Sequence, residues 1–283
     1  MIEIRDLKKQ YGSFMLDASL SVAPGMVTGL IGKNGAGKST MIKALLGLIK
    51  IDGGSARILG RDAKELTPAD RELIGVAFAD AFFNEYFTIQ DITRIMKKMY
   101  KSFDETHFNR QCQLMELPLN KKVNEFSTGM KAKLRVLTAM SHEAKVLILD
   151  EPTLGLDVEA RMEILDMLRE YMMVDEERAI LITSHISSDL SGICDDIYML
   201  HQGKMILHED TDVILSDYAL IKAGDDAIDP ADMALIIAKK REDYGYCYLT
   251  KQKQYFMENY KNLVIEKAQI DDLILMMTGG KRA

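Results

Sequence analysis

The feature that most constrains the fold of this chain is the spacing of glycines in residues 32–40, which read Gly-Lys-Asn-Gly-Ala-Gly-Lys-Ser-Thr. A glycine, four residues, Gly-Lys and a serine form the pattern of a phosphate-binding loop. The glycines let the backbone curl so that its N–H groups face an anion. An apolar run at 26–31 predicts a buried strand before the loop, and residues 39–49 predict a helix after it. The N-terminus of that helix would point its free N–H groups at the phosphates. This strand–loop–helix unit predicts an α/β fold and a bound nucleoside triphosphate.

Two side chains of the loop have expected chemical roles. Lys38 is predicted to reach the β- and γ-phosphates, and the Ser39 hydroxyl is predicted to ligate Mg²⁺. The remaining loop residues predicted to bind the nucleotide are Gly32, Asn34, Gly35, Ala36, Gly37 and Thr40. Together they predict a site for a triphosphate with its metal ion.

The composition of the chain indicates which kinds of partner and which cell compartment to expect. The chain has 283 residues, a formal net charge of −7 and a sequence pI near 5.4, so no basic face for nucleic acid is expected. Its three cysteines (Cys112, Cys194 and Cys247) are widely spaced, which favours reduced thiols of a cytoplasmic protein over a disulfide or metal framework. The N-terminus is charged where a signal peptide needs an apolar run, and no stretch approaches the ~20 apolar residues of a membrane span. We expect a chain that is soluble by itself.

Further along the chain, apolar runs alternate with helical segments. Continuous apolar runs at 145–149, 179–183 and 196–200 predict strands of a parallel sheet that is covered on both faces. Residues from about 88 to 142 carry Met, Leu and Ile at helical spacing and are predicted to be mostly helical. The first domain is therefore predicted to span 1–210.

The pattern changes after this domain, and residues 211–283 predict a small α+β accessory unit. Its predicted strands are 218–223, 244–250 and 263–267, and its predicted helices are 230–241 and 269–277.

Charged side chains follow two of the predicted strands of the first domain. Asp150 and Glu151 come directly after one apolar run, at the sheet edge where α/β proteins bind ligands. Asp150 is the predicted Mg²⁺ partner and Glu151 the predicted general base for the attacking water. A solvated acidic turn is the alternative, and the neighbouring phosphate loop favours the metal site. His185 ends the next strand and is predicted to contact the γ-phosphate and the base, the alternative being a core or surface histidine.

A second anion site is predicted at Ser127 and Gly129, which open a helix. Ser127 is a good N-cap, and that structural role is the alternative. A serine and a glycine at a helix N-terminus also make an anion site that the chain's own phosphate loop does not need. Two such sites in one chain suggest that the nucleotide is clamped between two subunits.

Five motifs in this order resemble the ATP-binding cassette (ABC) ATPases. The motifs are the Walker A loop at 32–40, the signature at 126–130, the Walker B strand with its glutamate at 146–151, the D-loop at 154–157 and the switch histidine at His185. Tyr11 resembles the aromatic residue that stacks on adenine in this family, with a strand-end tyrosine as the alternative. The resemblance covers residues 1 to about 210.

The resemblance implies a P-loop NTPase with a mixed or parallel core sheet, a helical subdomain at about 88–142 and a small C-terminal appendage. It further implies an ATPase that uses ATP and Mg²⁺, closes head to tail with a second cassette, identical or different, and powers transport through a separate transmembrane permease. Such a subunit would be cytoplasmic and peripheral on the inner face of the cell membrane. The signature variant Ser127-Thr128-Gly129-Met130-Lys131 resembles the branch that serves ABC-2-type exporters.

The chain departs from the family at the Q-loop. The family glutamine is replaced by Ala79, followed by Asp80, which is either a metal-facing acid or a loop residue. The aromatic segment 81–87 is expected either to receive the coupling helix of the permease or to fill the core of the helical subdomain. Two rival functions stay open: a regulatory module that binds ATP and hydrolyses it weakly, and a soluble ABC machine of translation or DNA repair. The absence of a second cassette and of long heptads disfavours the soluble machine.

Overall fold

The computed structural model describes residues 1–80, 82–224, 227–243, 245–279 and 281–282. Two predicted segments begin outside these ranges: Ala81 opens the aromatic segment and Tyr244 opens one predicted strand. Within the described ranges, no helix has both the length and the apolar character needed to cross a membrane.

A large sheet forms the centre of the first domain. Its ten strands in the described residues are β1 (Ile2–Tyr11), β2 (Phe14–Val22), β3 (Val27–Ile31), β4 (Gly53–Ile58), β5 (Arg61–Asp62), β6 (Ile74–Ala77), β7 (Val146–Asp150), β8 (Ala179–Ser184), β9 (Asp196–His201) and β10 (Lys204–Asp210). Their order across the sheet is β5-β4-β1-β2-β10-β9-β3-β8-β7-β6. Strands β9, β3, β8, β7 and β6 pair in parallel, whereas β1 pairs antiparallel with both β2 and β4. The predicted mixed sheet with a parallel core is confirmed.

The strands that end at the predicted site lie side by side. Ile31 of β3 is opposite Ser184 of β8, and Asp150 of β7 is opposite Thr183 of β8. Because parallel strands end at the same edge, the loops that follow β3, β7 and β8 meet there. Alternate residues of β7 pack into two different apolar clusters, one on each face of the sheet, which explains why the strand is a continuous apolar run.

Helices pack between and over these strands. They are α1 (Lys38–Leu45), α2 (Pro68–Arg71), α3 (Ile89–Met99), α4 (Glu105–Leu114), α5 (Thr128–Met140), α6 (Val158–Met173), α7 (Ser187–Ser191) and α8 (Thr211–Asp217). Helix α1 is shorter than the predicted 39–49 because Gly47 adopts a left-handed φ of 69°. A Cβ at Gly47 would lie 2.4 Å from the carbonyl oxygen of Ala63, so the chain turns there with a residue that has no side chain.

Helices α3, α4 and α5 form the predicted helical region. Each begins at a residue whose side-chain oxygen accepts a backbone N–H: Thr88 from Asp91, Asp104 from His107, and Ser127 from Met130. These caps satisfy N–H groups that the first turn of a helix leaves free. The prediction of a mostly helical segment between 88 and 142 is confirmed.

The C-terminal unit contains a second sheet. Its elements are β11 (Ala219–Ala223), β12 (Ile236–Glu242), β13 (Gly245–Thr250), α9 (Lys253–Asn259), β14 (Val264–Lys267), α10 (Ile270–Gly279) and β15 (Lys281–Arg282), with the sheet order β14-β11-β13-β12-β15. The predicted helix at 230–241 is wrong. A short 3₁₀ turn at Asp232–Leu235 is followed by strand β12, which pairs antiparallel with β13. Local helix propensity of Ala, Leu, Lys and Arg is overridden by this pairing. The register shifts between Ile236 and Ala238, so these two buried residues pack into the clusters on opposite faces of the sheet.

The two faces of the second sheet pack against different partners. Ile221 and Tyr248 join a small cluster with Phe256 of α9. Leu220 and Leu249 point to the other face and belong to the same apolar cluster as α5, α6 and α7. The boundary predicted at 210 separates two sheets, but one continuous core crosses it. The division into domains 1–210 and 211–283 stays a prediction.

Candidate nucleotide-binding site

The loop between β3 and α1 has the conformation that its glycines allow. Gly35 and Gly37 have φ values of 80° and 115°, in the left-handed region that favours glycine. A Cβ at Gly32 would lie 2.4 Å from the carbonyl oxygen of Leu200, so the close approach of the loop to β9 also requires glycine. Gly37 precedes α1 and offers no side-chain cap, which leaves N–H groups of the first helical turn free for an anion.

A cavity of about 470 Å³ opens in front of this loop. It is bounded by residues of the phosphate loop, of the β6–α3 loop and of the end of β7. Its walls are formed by Phe14, Lys33, Asn34, Gly35, Gly37, Lys38, Ser39, Thr40, Lys43, Ala79, Asp80, Asp150 and Glu151. The structure therefore brings most of the predicted phosphate-loop residues, together with Asp150 and Glu151, to one cavity. Gly32 and Ala36 do not line it.

Asp150 is held in place by two hydroxyl groups. Ser39 donates to Asp150 Oδ2 at 2.9 Å, and Thr183 donates to Asp150 Oδ1 at 2.7 Å. Asp150 is buried, with 5% of its surface exposed. Oxygen donors are the ligands that Mg²⁺ prefers, and this ion usually takes one or two protein ligands beside phosphate oxygens and water. The Ser39–Asp150 pair fits such an ion.

Glu151 joins the phosphate loop to the end of β8. Its Oε1 lies 3.2 Å from Lys38 Nζ, and its Oε2 lies 2.7 Å from His185 Nδ1. Lys38 also donates to the carbonyl oxygen of Gly32 at 2.6 Å. Only 12% of the Glu151 side chain and 6% of the Lys38 side chain are exposed, so this ion pair is only weakly screened by solvent. Of the three predicted catalytic residues, Glu151 thus contacts both Lys38 and His185.

The backbone of Glu151 has an unusual conformation for a residue with a side chain. Its φ is 51°, in a region that non-glycine residues enter at an energetic cost. Its N–H donates to both the hydroxyl oxygen (3.0 Å) and the carbonyl oxygen (3.2 Å) of Thr183. These bonds hold the sharp turn that directs the Glu151 side chain toward Lys38.

Tyr11 is not part of the cavity wall. It ends β1 with about half of its surface exposed, and Lys9 Nζ lies 5.1 Å from the centre of its ring. The aromatic residue that lines the cavity is Phe14. Stacking of Tyr11 on adenine stays a prediction.

The signature residues lie at a different cavity. Ser127, Thr128, Gly129 and Met130 line a space of about 540 Å³ together with residues of the α6 start. Ser127 caps α5 by accepting from Met130 N at 3.2 Å, so its predicted capping role is confirmed. A Cβ at Gly129 would lie 3.1 Å from that of Ala160, and glycine allows α5 and α6 to approach. This wall shares no residue with the phosphate-loop cavity, and the binding of a phosphate by Ser127 and Gly129 stays a prediction.

At the Q-loop position, Ala79 and Asp80 both line the nucleotide cavity. Burial lowers the pKa of the Arg135 guanidinium on α5, and the charge of Asp80 opposes this by raising it. Asp80 therefore faces the cavity and also interacts with the signature helix. Both interpretations of this residue, a metal-facing acid and a loop residue, stay open.

Sequence reasoning missed Thr183 as a functional residue. This side chain is fully buried and contacts both Asp150 and the Glu151 backbone. The available signal was a hydroxyl residue at the end of an otherwise apolar strand, where burial without a partner would be costly. Phe14 and Lys43 were missed as well, because they lie outside the motifs, and Lys33 was missed because it occupies a variable position of the phosphate-loop pattern.

Comparisons with known proteins agree with this site. A family model described as ABC transporter matches residues 15–154. ABC transporter ATP-binding protein YtrB of Bacillus subtilis (strain 168) is 27% identical, with 100% of this chain and 99% of the relative covered. Nod factor export ATP-binding protein I of Burkholderia orbicola (strain AU 1054) is 30% identical, with 88% of this chain and 86% of the relative covered. A solved structure of an ATP-binding subunit of an ABC transporter matches with a TM-score of 0.67 and 28% identity. The match covers 76% of this chain and 91% of that chain.

The phosphate loop, the acids at the end of β7 and the separate signature cavity together define an ATPase cassette. The chain belongs to the ABC transporter family and is one of its ATP-binding subunits. The predicted fold class and ATPase activity are confirmed by this membership.

Proposed function

We propose that the chain is the ATP-hydrolysing subunit of an exporter, in which two cassettes close head to tail on ATP beneath a separate membrane subunit. The observation that carries this proposal is the contact chain Lys38–Glu151–His185 at the sheet edge that also holds Ser39 and Asp150. Closure would drive the membrane subunit, and hydrolysis would reopen the pair. The relative named for Nod factor export supports export as the direction. The chain would act at the cytoplasmic face of the cell membrane and be held there by its partner.

The ion pair between Lys38 and Glu151 suggests how substrate entry prepares hydrolysis. An incoming phosphate offers Lys38 a charge-assisted hydrogen bond, so the lysine exchanges Glu151 Oε1 for phosphate oxygens. That oxygen then accepts a proton from the attacking water, while His185 Nδ1 orients the carboxylate through Oε2. Ser39 and Asp150 would hold Mg²⁺, which would neutralise charge on the phosphate oxygens. The catalytic and binding roles of these residues are part of the proposal.

Replacing Glu151 by glutamine tests this mechanism, because the amide keeps the size of the side chain and loses its basicity. We expect Glu151→Gln to lower the ATPase rate by about 100-fold or more and to form a Mg²⁺-ATP-dependent dimer in light scattering. Glu176→Gln, at an exposed glutamate between α6 and β8, is the control and should behave as wild type. A Glu151→Gln chain that stays monomeric with ATP and hydrolyses it at the normal rate would refute the assignment.

An exposed apolar stripe beside the signature cavity supports closure with a second cassette. Leu154, Val158 and Met162 are 48%, 72% and 48% exposed, and Val158 and Met162 lie one helical turn apart on α6. Exposed apolar residues that adjoin a half-built site are typical of an interface. In the Glu151→Gln background, Val158→Asp should abolish the ATP-dependent dimer, whereas Met173→Asp, at the 84% exposed far end of α6, should not.

A groove between β6 and the helical region supports docking of the membrane subunit. It has a volume of about 340 Å³, and its apolar walls include Phe82, Phe83 and Met99. The two phenylalanines are partly buried against the main core and also line the groove, so they serve packing and remain accessible. A partner helix with an apolar face would fit these walls.

Met99→Asp tests this docking surface, since Met99 is 59% exposed. We expect the variant to lose co-purification with the proposed membrane subunit and to keep its own ATPase activity. Leu114→Asp, a 67% exposed position at the end of α4, is the matched control. If both variants co-purify as wild type does, the partner does not use this groove.

A second candidate function is a regulatory module that binds ATP and hydrolyses it weakly. It is favoured by Ala79, which places a methyl group in the cavity where the family has the Q-loop glutamine. Steady-state ATPase assays with and without the membrane partner distinguish the regulatory module from the exporter ATPase, because the module would hydrolyse ATP slowly under both conditions.

A further inference from the structure

The short helix α7 begins two residues after His185 and is hydrogen-bonded to the loop that follows Glu151. Its Asp189 is 1% exposed and accepts a hydrogen bond of 2.6 Å from Thr153, two residues beyond Glu151. Arg161 of α6 lies 3.5 Å from the other oxygen of Asp189. Helix α7 is therefore attached both to the loop that carries Glu151 and to the helix that borders the signature cavity.

The same helix is also attached to the C-terminal unit. Ser187, its first residue, donates a hydrogen bond of 2.6 Å to Asp271 Oδ2 at the start of α10. Below this contact, Leu190 of α7 shares one apolar cluster with Leu273 and Met276 of α10. Helix α10 thus lies between α7 and the second sheet, with a polar contact at its exposed end and an apolar contact beneath.

We propose that Asp271 is a positioning residue for ATP hydrolysis, through which the C-terminal unit holds the switch histidine in place. The inference rests on the proposed function and adds a role for a segment outside the ATPase motifs. Two residues of chain span at most about 7 Å, so a displacement of Ser187 is passed on to His185. The His185 side chain is 41% exposed, and Glu151 is its hydrogen-bond partner within the described residues. Its location therefore depends on how firmly the following segment is anchored.

Two anchors of α7 act together in this arrangement. Asp189 anchors the buried side of the helix to Thr153, and Asp271 anchors its exposed N-terminal side. A shift of α10 would move Ser187 relative to Thr153 and change the Glu151–His185 contact without touching the phosphate loop. The C-terminal unit is thereby placed to alter the rate of hydrolysis, while nucleotide binding is left unchanged.

The test uses the full chain and five variants, one of them a control. Asp271→Ala and Ser187→Ala each remove one partner of the hydrogen bond, and the double variant removes both. Asp271→Asn keeps an oxygen that can accept from Ser187. The matched control is Asp272→Asn, at the neighbouring carboxylate, which accepts from Gln269 N at the start of its own helix.

We expect Asp271→Ala and Ser187→Ala each to lower kcat for ATP about 3- to 10-fold, with KM changed less than about 2-fold. The double variant should be no slower than either single variant, because both remove the same contact. Asp271→Asn and Asp272→Asn should stay within about 2-fold of wild type. Hydrogen–deuterium exchange without nucleotide should be faster over 185–191 in Asp271→Ala.

Three results would overturn the proposal: an unchanged kcat in Asp271→Ala, additive losses in the double variant, or unchanged exchange over 185–191. A wild-type chain without ATPase activity would refute the proposed function instead, and the exchange measurement would still decide whether Asp271 anchors α7.

Discussion

Replacing Thr183 by valine tests how much one buried hydroxyl that contacts both Asp150 and Glu151 contributes to stability. Valine has nearly the same shape, so the change leaves no large cavity and removes only the hydroxyl. Thr183 donates to Asp150 Oδ1 at 2.7 Å and accepts from Glu151 N at 3.0 Å. The first bond involves a carboxylate and contributes about 1.5–3 kcal/mol, and the second contributes about 0.5–1.5 kcal/mol. We therefore expect Thr183→Val to lower the free energy of unfolding by about 2–4 kcal/mol.

Thr28 provides a matched control in the adjacent parallel strand. It is 1% exposed, as deeply buried as Thr183, but its hydroxyl has no hydrogen-bond partner within the described residues. Thr28→Val removes an unsatisfied polar group and should be neutral or stabilising by about 1 kcal/mol. The same substitution is thus expected to destabilise the chain in β8 but not in β3.

Urea denaturation followed by circular dichroism measures both variants. A loss of about 3 kcal/mol lowers the midpoint by about 1 M when the m-value is near 3 kcal/mol per M. Unchanged m-values would show that the denatured state is the same, so that midpoints compare stability directly. Equal losses in Thr183→Val and Thr28→Val would refute the reasoning, because the hydrogen bonds of Thr183 would then contribute nothing beyond burial of the side chain.

Three further predictions concern binding, pH and thiol chemistry. Lys38→Met should raise the Kd for Mg²⁺-ATP in calorimetry by about 10-fold or more, because a charged partner of the phosphates is lost; an unchanged Kd would contradict the role of Lys38. Burial lowers the pKa of His142 below its ordinary value of 6.5. As the pH falls below 6.5, the unfolded chain therefore takes up a proton on this histidine before the folded chain does. The contribution of neutral His142 to stability is thus present above pH 6.5 and is lost below it. Urea midpoints at pH 7.5 and 5.5 should therefore differ less in His142→Phe than in wild type, and an equal difference would be inconsistent with this assignment. Burial raises the pKa of Cys112 to about 12 and that of Cys247 to about 11, and raises that of Cys194 as well, so a thiol reagent at pH 8 should label the native chain slowly and label all three cysteines after denaturation.

The sequence predicted the site more fully than it predicted the C-terminal unit. Residues 32–40 form a motif whose glycines are required by backbone geometry. Asp150 ends one parallel strand and His185 directly follows the neighbouring one, and these strands must end at one edge. Such constraints are local or follow from the sheet, so they can be derived without coordinates. The strand at Ile236–Glu242 could not be derived in this way, because its residues favour a helix and only pairing with β13 makes them a strand.

The contacts between side chains of the site also needed the structure. Nothing in the sequence indicates that Glu151 has a left-handed φ or that Lys38 contacts it. The place of Tyr11 outside the cavity wall, with Phe14 lining it, depends on how β1 and β2 turn into each other. These features arise from packing between distant segments, which a motif does not encode.

The core that crosses residue 210 determines how this protein can be truncated and whether its C-terminal unit can be transferred to another protein. Leu190, Leu273 and Met276 are members of one buried cluster, so a chain that ends after β10 would leave part of α7 facing water. A truncated ATPase would then be expected to aggregate, even though every nucleotide-binding motif is intact. Grafting the C-terminal unit onto another cassette would meet the same difficulty, since the recipient would need matching apolar residues on its α7. The two sheets are therefore expected to melt in one transition and to be exchanged between proteins only together with that helix.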